Sequence, residues 1–200
     1  MSALFHRLQR LFDEGHGVEL PDLRCDAHFA PPQLRPAAVL IAVTDRPEPG
    51  VLLTHRPEAM RAHPGQVAFP GGKLDPGEDA VTAALREAQE ELGIDPAKVR
   101  MIGASDRYIT GTGFDITPVL GLVPPDLPIV PNPAEVSAWF EAPLAFILDP
   151  ANHITRTGEW GGVARPYLEI QWHEHRIWGV TAAMIHNLSR RLQWLGAADG

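Results

Sequence analysis

Three glutamates, at positions 87, 90 and 91, are the residues whose type and spacing point most directly to chemistry. A helix advances about 100° per residue, so Glu90 and Glu91 would lie about 60° to one side and about 40° to the other side of Glu87. The three carboxylates then share one face, where like charges four residues apart repel each other. A divalent cation removes that repulsion, because Mg²⁺ takes oxygen ligands and often joins carboxylates to substrate phosphates. The pattern indicates either metal-dependent phosphate chemistry or an ordinary solvated acidic face.

The segment around these glutamates has the start and stop signals of a helix over residues 79–92. Asp79 is a typical N-cap residue, and Gly93 stands where a glycine commonly ends a helix. Arg86 precedes Glu90 by four residues and can form an ion pair with it. The apolar residues centre about 120° away from the carboxylates and predict the buried face; they are Val81, Leu85, Ala88 and Leu92. The sequence therefore predicts an amphipathic helix whose acids face away from the core.

The rest of the chain supplies short strands and two further helices. Apolar residues at three- and four-residue spacing predict helices over 2–14 and 181–195. Short apolar runs bounded by Pro and Gly predict strands, which lie at 37–43, 51–56, 66–69, near 99–109, at 115–123, 163–170 and 174–178. We expect an α+β fold or a three-layer sandwich, with a mixed and mostly antiparallel sheet. With no repeat and no break in composition, we expect one domain over residues 1–200, in which 1–36 form an N-terminal helix and a Pro-rich lead-in.

Composition excludes several functional classes. The 17 Lys and Arg against 25 Asp and Glu give a formal net charge of −8, so no global basic field draws the chain to nucleic acid or to an anionic membrane. Cys25 is the single cysteine, so the chain cannot form an internal disulfide. The longest apolar run, at 37–43, is far shorter than the ~18 residues that span a bilayer. We expect a cytoplasmic protein that binds a small molecule. Local Arg and Lys side chains or metal ions would neutralise the negative charge of such a substrate. No feature of the sequence indicates an oligomeric state.

The spacing of the acidic segment resembles the Nudix box, Gly-x5-Glu-x7-Arg-Glu-U-x-Glu-Glu-x-Gly-U, where U is a bulky apolar residue. Its seven fixed places are filled by Gly72, Glu78, Arg86, Glu87, Glu90, Glu91 and Gly93. Ile94 fills the last apolar place, and Ala88 fills the first with a smaller residue. The resemblance implies a Nudix-type α/β/α sandwich with a catalytic loop-helix-loop. It also implies an enzyme that hydrolyses a nucleoside diphosphate linked to another moiety.

The same resemblance implies roles for individual residues. The three glutamates of the box would bind Mg²⁺ or Mn²⁺ together with the backbone carbonyl of Gly72, and Glu90 and Glu91 would be catalytic. Arg86 would orient the glutamates, and Glu78 would brace the loop. Nudix enzymes often use a further glutamate outside the box as metal ligand or base. Our candidate is Glu135, in Asn-Pro-Ala-Glu before an apparent strand; a solvated loop acid is the alternative interpretation.

A second motif precedes the box. LLTHRPEAMRAHPGQVAFPGG, over residues 52–72, resembles the additional motif of the coenzyme A pyrophosphatase branch of Nudix enzymes, with Pro57 standing where Ser or Ala is expected. The matching residues are Leu52, Leu53, Thr54, Arg56, Arg61, Gly65, Phe69, Pro70, Gly71 and Gly72. The resemblance implies cleavage of coenzyme A to 3′,5′-ADP and 4′-phosphopantetheine. It implies substrate binding by Arg56, Arg61, Gly65 and Phe69.

Two arginines, Arg56 and Arg61, suit a substrate with several phosphates. An Arg fork can bind a phosphate bidentately, and coenzyme A carries a 3′-phosphate besides its diphosphate. The alternative is that both arginines pair with acids such as Glu58. Other substrates stay open, namely ADP-ribose or a dinucleotide such as NADH. A nucleotide sensor without activity is also open, although a binder has no need of three metal-ligating acids.

A His-Glu-His segment and the tryptophans give weaker indications of function. His173-Glu174-His175 lacks the spacing of a helical metal motif and predicts an exposed strand. The five tryptophans, at positions 139, 160, 172, 178 and 194, fit the core or its rim. One of them could stack on adenine, but the sequence does not select which.

Overall fold

The computed structural model describes residues 2–58, 65–160 and 162–195. Its helices are α1 (Ala3–His16), α2 (Ala80–Leu92), α3 (Leu144–Leu148) and α4 (Val180–Leu192). Its strands are β1 (Arg35–Thr44), β2 (Gly50–His55), β3 (Val67–Ala68), β4 (Gly71–Lys73), β5 (Arg100–Ala104), β6 (Tyr108–Ile109), β7 (Phe114–Val123), β8 (Ala138–Pro143), β9 (Ile154–Trp160), β10 (Val163–Trp172) and β11 (His175–Trp178). The three predicted helices and the predicted strands at 37–43 and 51–56, which are β1 and β2, are confirmed within a few residues.

A mixed sheet forms the centre of the fold. Strand β1 runs parallel to β7, with Arg35 opposite Phe114 and Thr44 opposite Val123, and it pairs antiparallel with β2 and β4. Strand β2 also pairs antiparallel with β8 and with β3. A second sheet has the order β11-β10-β9. The α+β expectation with a mixed, mostly antiparallel sheet is confirmed.

One predicted strand is divided. The segment near 99–109 forms β5 and β6, because the pairing with β7 stops after Ala104 and resumes at Tyr108. Within β5 the register also shifts between Met101 and Gly103. A bulge of this kind bends a strand and interrupts its ladder. Strands β4 and β9 were not predicted, and β8 was expected only as an apparent strand after Glu135, without bounds.

The sheet separates two apolar clusters. Alternate residues of β1 face opposite sides, so Leu40 and Ala42 pack with α2, whereas Ile41 and Val43 pack with α1, α3 and α4. Helices therefore cover both faces of the larger sheet, in the three-layer arrangement that the sequence allowed. No helix in the described part of the chain is long and apolar enough to cross a membrane.

Helix α2 has both predicted caps. The Asp79 side chain accepts the N–H of Thr82 at 2.8 Å, and Gly93 ends the helix with φ 69°, in the left-handed region. Its buried face is displaced from the predicted one. Ala83, Ala84 and Glu91 are buried together with Ala88 and Leu92, whereas Val81 and Leu85 are only half-buried. The small alanines let the helix lie close to β1 and β4, and this brings one side of the acidic face into the interior.

Helices α1 and α4 are joined by a buried arginine. The guanidinium of Arg191 donates to both carboxylate oxygens of Asp106 at 2.8 and 2.7 Å. It also donates to the carbonyl oxygens of Gly15 at 2.7 Å and Val18 at 2.6 Å. Only 8% of the side chain is exposed. This network connects the C-terminus of α1, the loop between β5 and β6, and α4.

Candidate active site

Three carboxylates meet at the C-terminal half of α2. One oxygen from each of Glu87, Glu91 and Glu135 lies within 4.8 Å of the other two. We call this group the acid cluster. Two of its members come from the helix and the third comes from the loop before β8. Carboxylate oxygens at this separation form a donor set suited to a hard divalent cation such as Mg²⁺.

Hydrogen bonds from the loop explain how Glu135 reaches the helix. The N–H of Asn132 donates to the Glu91 carbonyl at 2.9 Å, and the N–H of Val130 donates to the Leu92 carbonyl at 2.9 Å. The last carbonyls of a helix lack partners within it, so the loop satisfies them. The Asn132 side-chain amide then donates to the Glu135 carboxylate at 3.1 Å. Sequence reasoning proposed Glu135 but missed Asn132, whose only signal was its place at the start of Asn-Pro-Ala-Glu.

Glu91 is the most enclosed member of the acid cluster. Its side chain is 6% exposed, and its carboxylate accepts the N–H of Gly71 at 3.3 Å. Burial, followed by the charge of Glu87, raises the pKa of Glu91 to about 8, although the Gly71 hydrogen bond and the charge of Arg56 act in the opposite direction. Burial is also the main cause that raises the pKa of Glu87. The cluster therefore holds more negative charge than its surroundings neutralise.

Two consecutive glycines allow this close packing. A Cβ at Gly72 would lie 2.5 Å from the Glu87 carboxylate, and a Cβ at Gly71 would overlap the backbone carbonyl of Ala38. The absence of a side chain at both positions lets β4 lie between β1 and the acids of α2. The Gly72 carbonyl was predicted as a metal ligand, and that assignment stays a prediction.

Arg86 holds one side of the cluster. Its Nε and Nη2 donate to the two oxygens of Glu78, each at 3.0 Å. Its Nη1 donates to Glu87 at 2.9 Å and to Glu90 at 3.2 Å, and its Nη2 also donates to the Lys73 carbonyl at 3.0 Å. The hydrogen bonds from Arg86 lower the pKa of Glu78. One rigid fork therefore connects β4, the loop before α2 and the helix itself.

Glu90 lies outside the acid cluster. Its side chain is 50% exposed and its carboxylate pairs with Arg86. Helix geometry placed Glu90 and Glu91 at comparable angles on opposite sides of Glu87. Only the side of Glu91 packs against the sheet. The assignment of Glu90 as a metal ligand and catalytic residue stays a prediction.

Arg56 continues β2 toward the acid cluster. The N–H of Arg56 donates to the Gln66 carbonyl at 3.0 Å, and the Arg56 carbonyl accepts the N–H of Gly65 at 3.1 Å. Gly65 adopts φ 67°, which favours glycine at this turn. The Nε of Arg56 is buried and has no hydrogen-bond partner among the residues that the structure describes. The predicted substrate contact Arg61 lies outside the described residues.

The remaining predicted residues have other surroundings. Phe69 is 2% exposed and packs in the larger apolar cluster, and its role as a substrate contact stays a prediction. His173 and Glu174 form the turn between β10 and β11 instead of the predicted exposed strand. His175 begins β11, and its Nδ1 lies 2.9 Å from Nε2 of His55.

Comparisons with known proteins agree on one family. The NUDIX domain matches residues 34–170 of the chain, a span that contains the whole acid cluster. The uncharacterized Nudix hydrolase NudL of Escherichia coli (strain K12) is 44% identical over 164 residues, which cover 79% of this chain and 83% of that protein. NudL of Cronobacter sakazakii is 45% identical over 161 residues, with the same coverage of 79% and 83%. Among solved structures, the Nudix hydrolase RenU from M. Smegmatis aligns with a TM-score of 0.50 and 26% identity, over 57% of this chain and 74% of its own.

Proposed function

The chain belongs to the Nudix hydrolase family, and from that premise we propose that it hydrolyses the diphosphate bond of coenzyme A or its derivatives. The products would be 3′,5′-ADP and 4′-phosphopantetheine or its acyl form. The family accounts for a hydrolase of nucleoside diphosphate derivatives, and the choice of coenzyme A among them is our proposal.

The observation that carries the choice of substrate is the state of Arg56. Its Nε is buried without a hydrogen-bond partner among the described residues, and its charge acts on Glu91. A buried donor without a partner costs free energy, so such a group is expected to meet an acceptor in the functional complex. A phosphate is the acceptor that an Arg fork fits best. Arg56 also belongs to the motif that resembles the coenzyme A pyrophosphatase branch.

The acid cluster fits the Mg²⁺ or Mn²⁺ that the family implies. Its oxygens converge within 4.8 Å. Burial raises the pKa of Glu87 and Glu91, so a neighbouring cation would stabilise the ionised form of both. Glu87, Glu91 and Glu135 would hold the ion, and Glu90 and the Gly72 carbonyl are further candidates. When bound, the ion supplies neutralisation of the diphosphate charge and activation of water.

The chain's own residues do the positioning. Arg86 fixes the Glu87 carboxylate, and Asn132 fixes that of Glu135. The N–H of Gly71 fixes Glu91 from the side of the sheet. One of these carboxylates would accept the proton of the water that attacks phosphorus, as general bases do within hydrogen-bond reach. Arg56 would bind a substrate phosphate next to them.

A turnover screen tests the proposal. The purified protein would be assayed with coenzyme A, acetyl-coenzyme A, ADP-ribose and NADH, in Mg²⁺ and in Mn²⁺, with products identified by mass. We expect the highest kcat/KM for a coenzyme A substrate. A higher value for ADP-ribose or NADH would assign the chain to the alternative diphosphatases, and no turnover with metal present would favour a sensor. Location in the cytoplasm stays a prediction.

A further inference from the structure

Three arginines line one cavity at the end of the molecule where β1 turns into β2. The cavity has a volume of about 760 Å³, and α1, the β1–β2 turn and Trp194 form its walls. Arg7 and Arg10 come from α1, and Arg46 comes from the turn. Small-molecule sites in proteins commonly have volumes in this range. The cavity is therefore large enough to hold an organic ligand.

The charge of this cavity is opposite to that of the whole protein. Among its described residues Asp45 is the one carboxylate, and that carboxylate lies 3.9 Å from the guanidinium of Arg100. Arg46 lies 3.4 Å from the carboxylate of Glu141. With these partners included, four arginines stand against two carboxylates, on a chain whose formal net charge is −8. A concave region with an excess of positive charge concentrates anions.

The three guanidiniums differ in how the protein holds them. Arg7 lies 3.9 Å from the centre of the Trp194 ring and donates to the Trp194 carbonyl at 3.3 Å. Arg46 donates to the Pro125 carbonyl at 2.7 Å. Arg10 is exposed and forms no ion pair or hydrogen bond with the described part of the chain. An anion can therefore bind Arg10 without breaking a contact of the fold, beside two cations that are already ordered.

The rest of the lining supplies apolar surface and a stiff rim. Leu4, Pro47 and Pro49 line the cavity together with the arginines. The Pro49 carbonyl accepts the N–H of Leu144 at 2.8 Å, and proline fixes φ, so the turn has little freedom to lose when a ligand binds. A ligand that matches this lining carries its negative charges on a compact organic body.

This cavity is separate from the acid cluster. Gly71, whose N–H binds Glu91, lies opposite Val39 of β1. The cavity begins at Asp45, just beyond the end of β1 at Thr44. The five residues from Val39 to Thr44 span about 17 Å of strand. In addition, α1 packs on the face of the sheet opposite to α2. A ligand in this cavity is therefore distinct from the diphosphate at the acid cluster.

We propose that the cavity is a second binding site, for a small organic phosphate that carries two or more negative charges. Arg10 binds the phosphate from α1, and Arg7 and Arg46 form the ordered side of the site. An Arg fork fits the oxygens of a phosphate bidentately. Lipid headgroups carry the same chemistry, but a headgroup would have to leave the bilayer surface to enter a cavity, so we assign the site to a free compound. This inference goes beyond the proposed function and is independent of which diphosphate is hydrolysed.

A binding measurement at Trp194 tests the proposal without turnover. The indole N–H of Trp194, identified by its loss in Trp194→Phe, would be followed by proton–nitrogen NMR while inorganic pyrophosphate is added in chelator and about 0.15 M salt. Because Arg7 lies over this ring, an anion bound to Arg7 changes its surroundings. We expect a saturable shift with a Kd below about 1 mM. No shift, or a shift that does not saturate, would overturn the proposal.

Two variants show whether the arginines of the cavity are responsible. Arg10→Gln should weaken pyrophosphate binding about tenfold, the lower part of the range for a charge-assisted hydrogen bond at an exposed position. Lys98→Gln is the matched control, because it removes one exposed positive charge outside the cavity. It should bind pyrophosphate as wild type does. Equal weakening in both variants would show a general charge effect and overturn the assignment.

Two further measurements separate this site from a membrane contact and from the active site. Vesicles of phosphatidylglycerol should not sediment with the protein; sedimentation that Arg10→Gln abolishes, without a response to pyrophosphate, would replace the free ligand by a lipid surface. With the best substrate of the turnover screen and no added anion, Arg10→Gln should match Lys98→Gln in kcat and KM. A specific loss in Arg10→Gln would assign the cavity to the active site and overturn a second site.

Discussion

Two arginines of this fold sit in carboxylate networks that differ in their charge balance. Arg191 binds the single carboxylate of Asp106 and two backbone carbonyls. Arg86 binds three carboxylates, and the acid cluster adds Glu91 and Glu135 next to them. The first network is neutral, whereas the second has a large excess of negative charge.

The pKa values of the acids express this difference. Burial alone would raise the pKa of Asp106, but the hydrogen bonds and charge of Arg191 lower it overall. At Glu91 burial dominates and raises the pKa to about 8. A neutral network stabilises the fold, whereas an acid-rich one costs stability until a cation is bound. A buried carboxylate without a matching cation, more than the presence of an arginine, therefore distinguishes a site for chemistry from a structural connection.

The largest expected effect is on stability, at the neutral network. Arg191→Met should lower the free energy of unfolding by about 3–5 kcal/mol, because Asp106 and two carbonyls lose their donor in a largely buried place. Denaturant unfolding of both proteins measures the change. At a temperature where the variant is folded, kcat should equal that of wild type. A loss below 1 kcal/mol, or a specific loss of kcat, would contradict the structural assignment.

A substitution in the network of Arg86 and the acid cluster should lower kcat and leave stability unchanged or higher. Glu91→Gln should lower kcat by about two orders of magnitude or more at saturating metal, which is roughly 3 kcal/mol of transition-state stabilisation. The metal-free variant should fold at least as well as wild type, since glutamine has the shape of the protonated carboxyl group and cannot acquire a buried charge. Glu90→Gln tests whether the exposed glutamate also binds metal, and Glu48→Gln is an exposed control on another loop. Near-normal turnover of Glu91→Gln would remove the acid cluster from the mechanism.

The metal-free protein should report the raised pKa of Glu91 through its pH dependence. The unfolded carboxyl titrates near 4.5 and the folded one near 8, so the folded state holds an extra proton between these values. Stability due to this group is present below pH 4.5 and falls as pH rises to about 8, by at most about 1.4 kcal/mol per pH unit. Melting curves recorded in chelator should show that the Tm of Glu91→Gln, relative to that of wild type, rises from pH 5 to pH 8. A gap that is constant with pH would show that Glu91 is ionised throughout.

The smallest expected effect concerns the substrate phosphate. Coenzyme A should be preferred to dephospho-coenzyme A by about tenfold, the lower part of the range for a charge-assisted hydrogen bond. Arg56→Ala should lower kcat/KM for coenzyme A and leave the dephospho form nearly unchanged, so the preference disappears. The four rate measurements form a double-mutant cycle between one side chain and one phosphate. Proportional losses with both substrates would show that Arg56 only braces its loop.

The helix that carries the glutamates could be predicted because its signals are local. Asp79 and Gly93 determine its ends without reference to the rest of the chain, whereas the burial of Glu91 depends on how the helix packs on the sheet. The membership of the acid cluster could not be predicted in the same way, since it depends on hydrogen bonds that join Asn132 to the end of α2. The burial of Phe69 likewise depends on the packing of the sheet, which the motif alone does not contain.

Strand β9 was missed, and β8 was expected without bounds, for a related reason. β9 consists of residues that are mostly exposed, so no apolar alternation marks it. β8 is short and ends at Pro143, and only Phe140 and Ala142 enter the core. These strands are defined by their partners in the sheets, which the local pattern does not contain.

The parallel pairing of β1 with β7 governs how the molecule reaches this structure. Arg35 pairs with Phe114, roughly 80 residues later, and closing a loop of that length costs about 4 kcal/mol of chain entropy before any contact forms. Folds dominated by such distant pairings cross their folding barrier slowly. During synthesis from the N-terminus, β1 and α2 leave the ribosome before β7 and Glu135 do. The glutamates of α2 therefore emerge on an unsupported helix, and their assembly with Glu135 waits for the sheet to close.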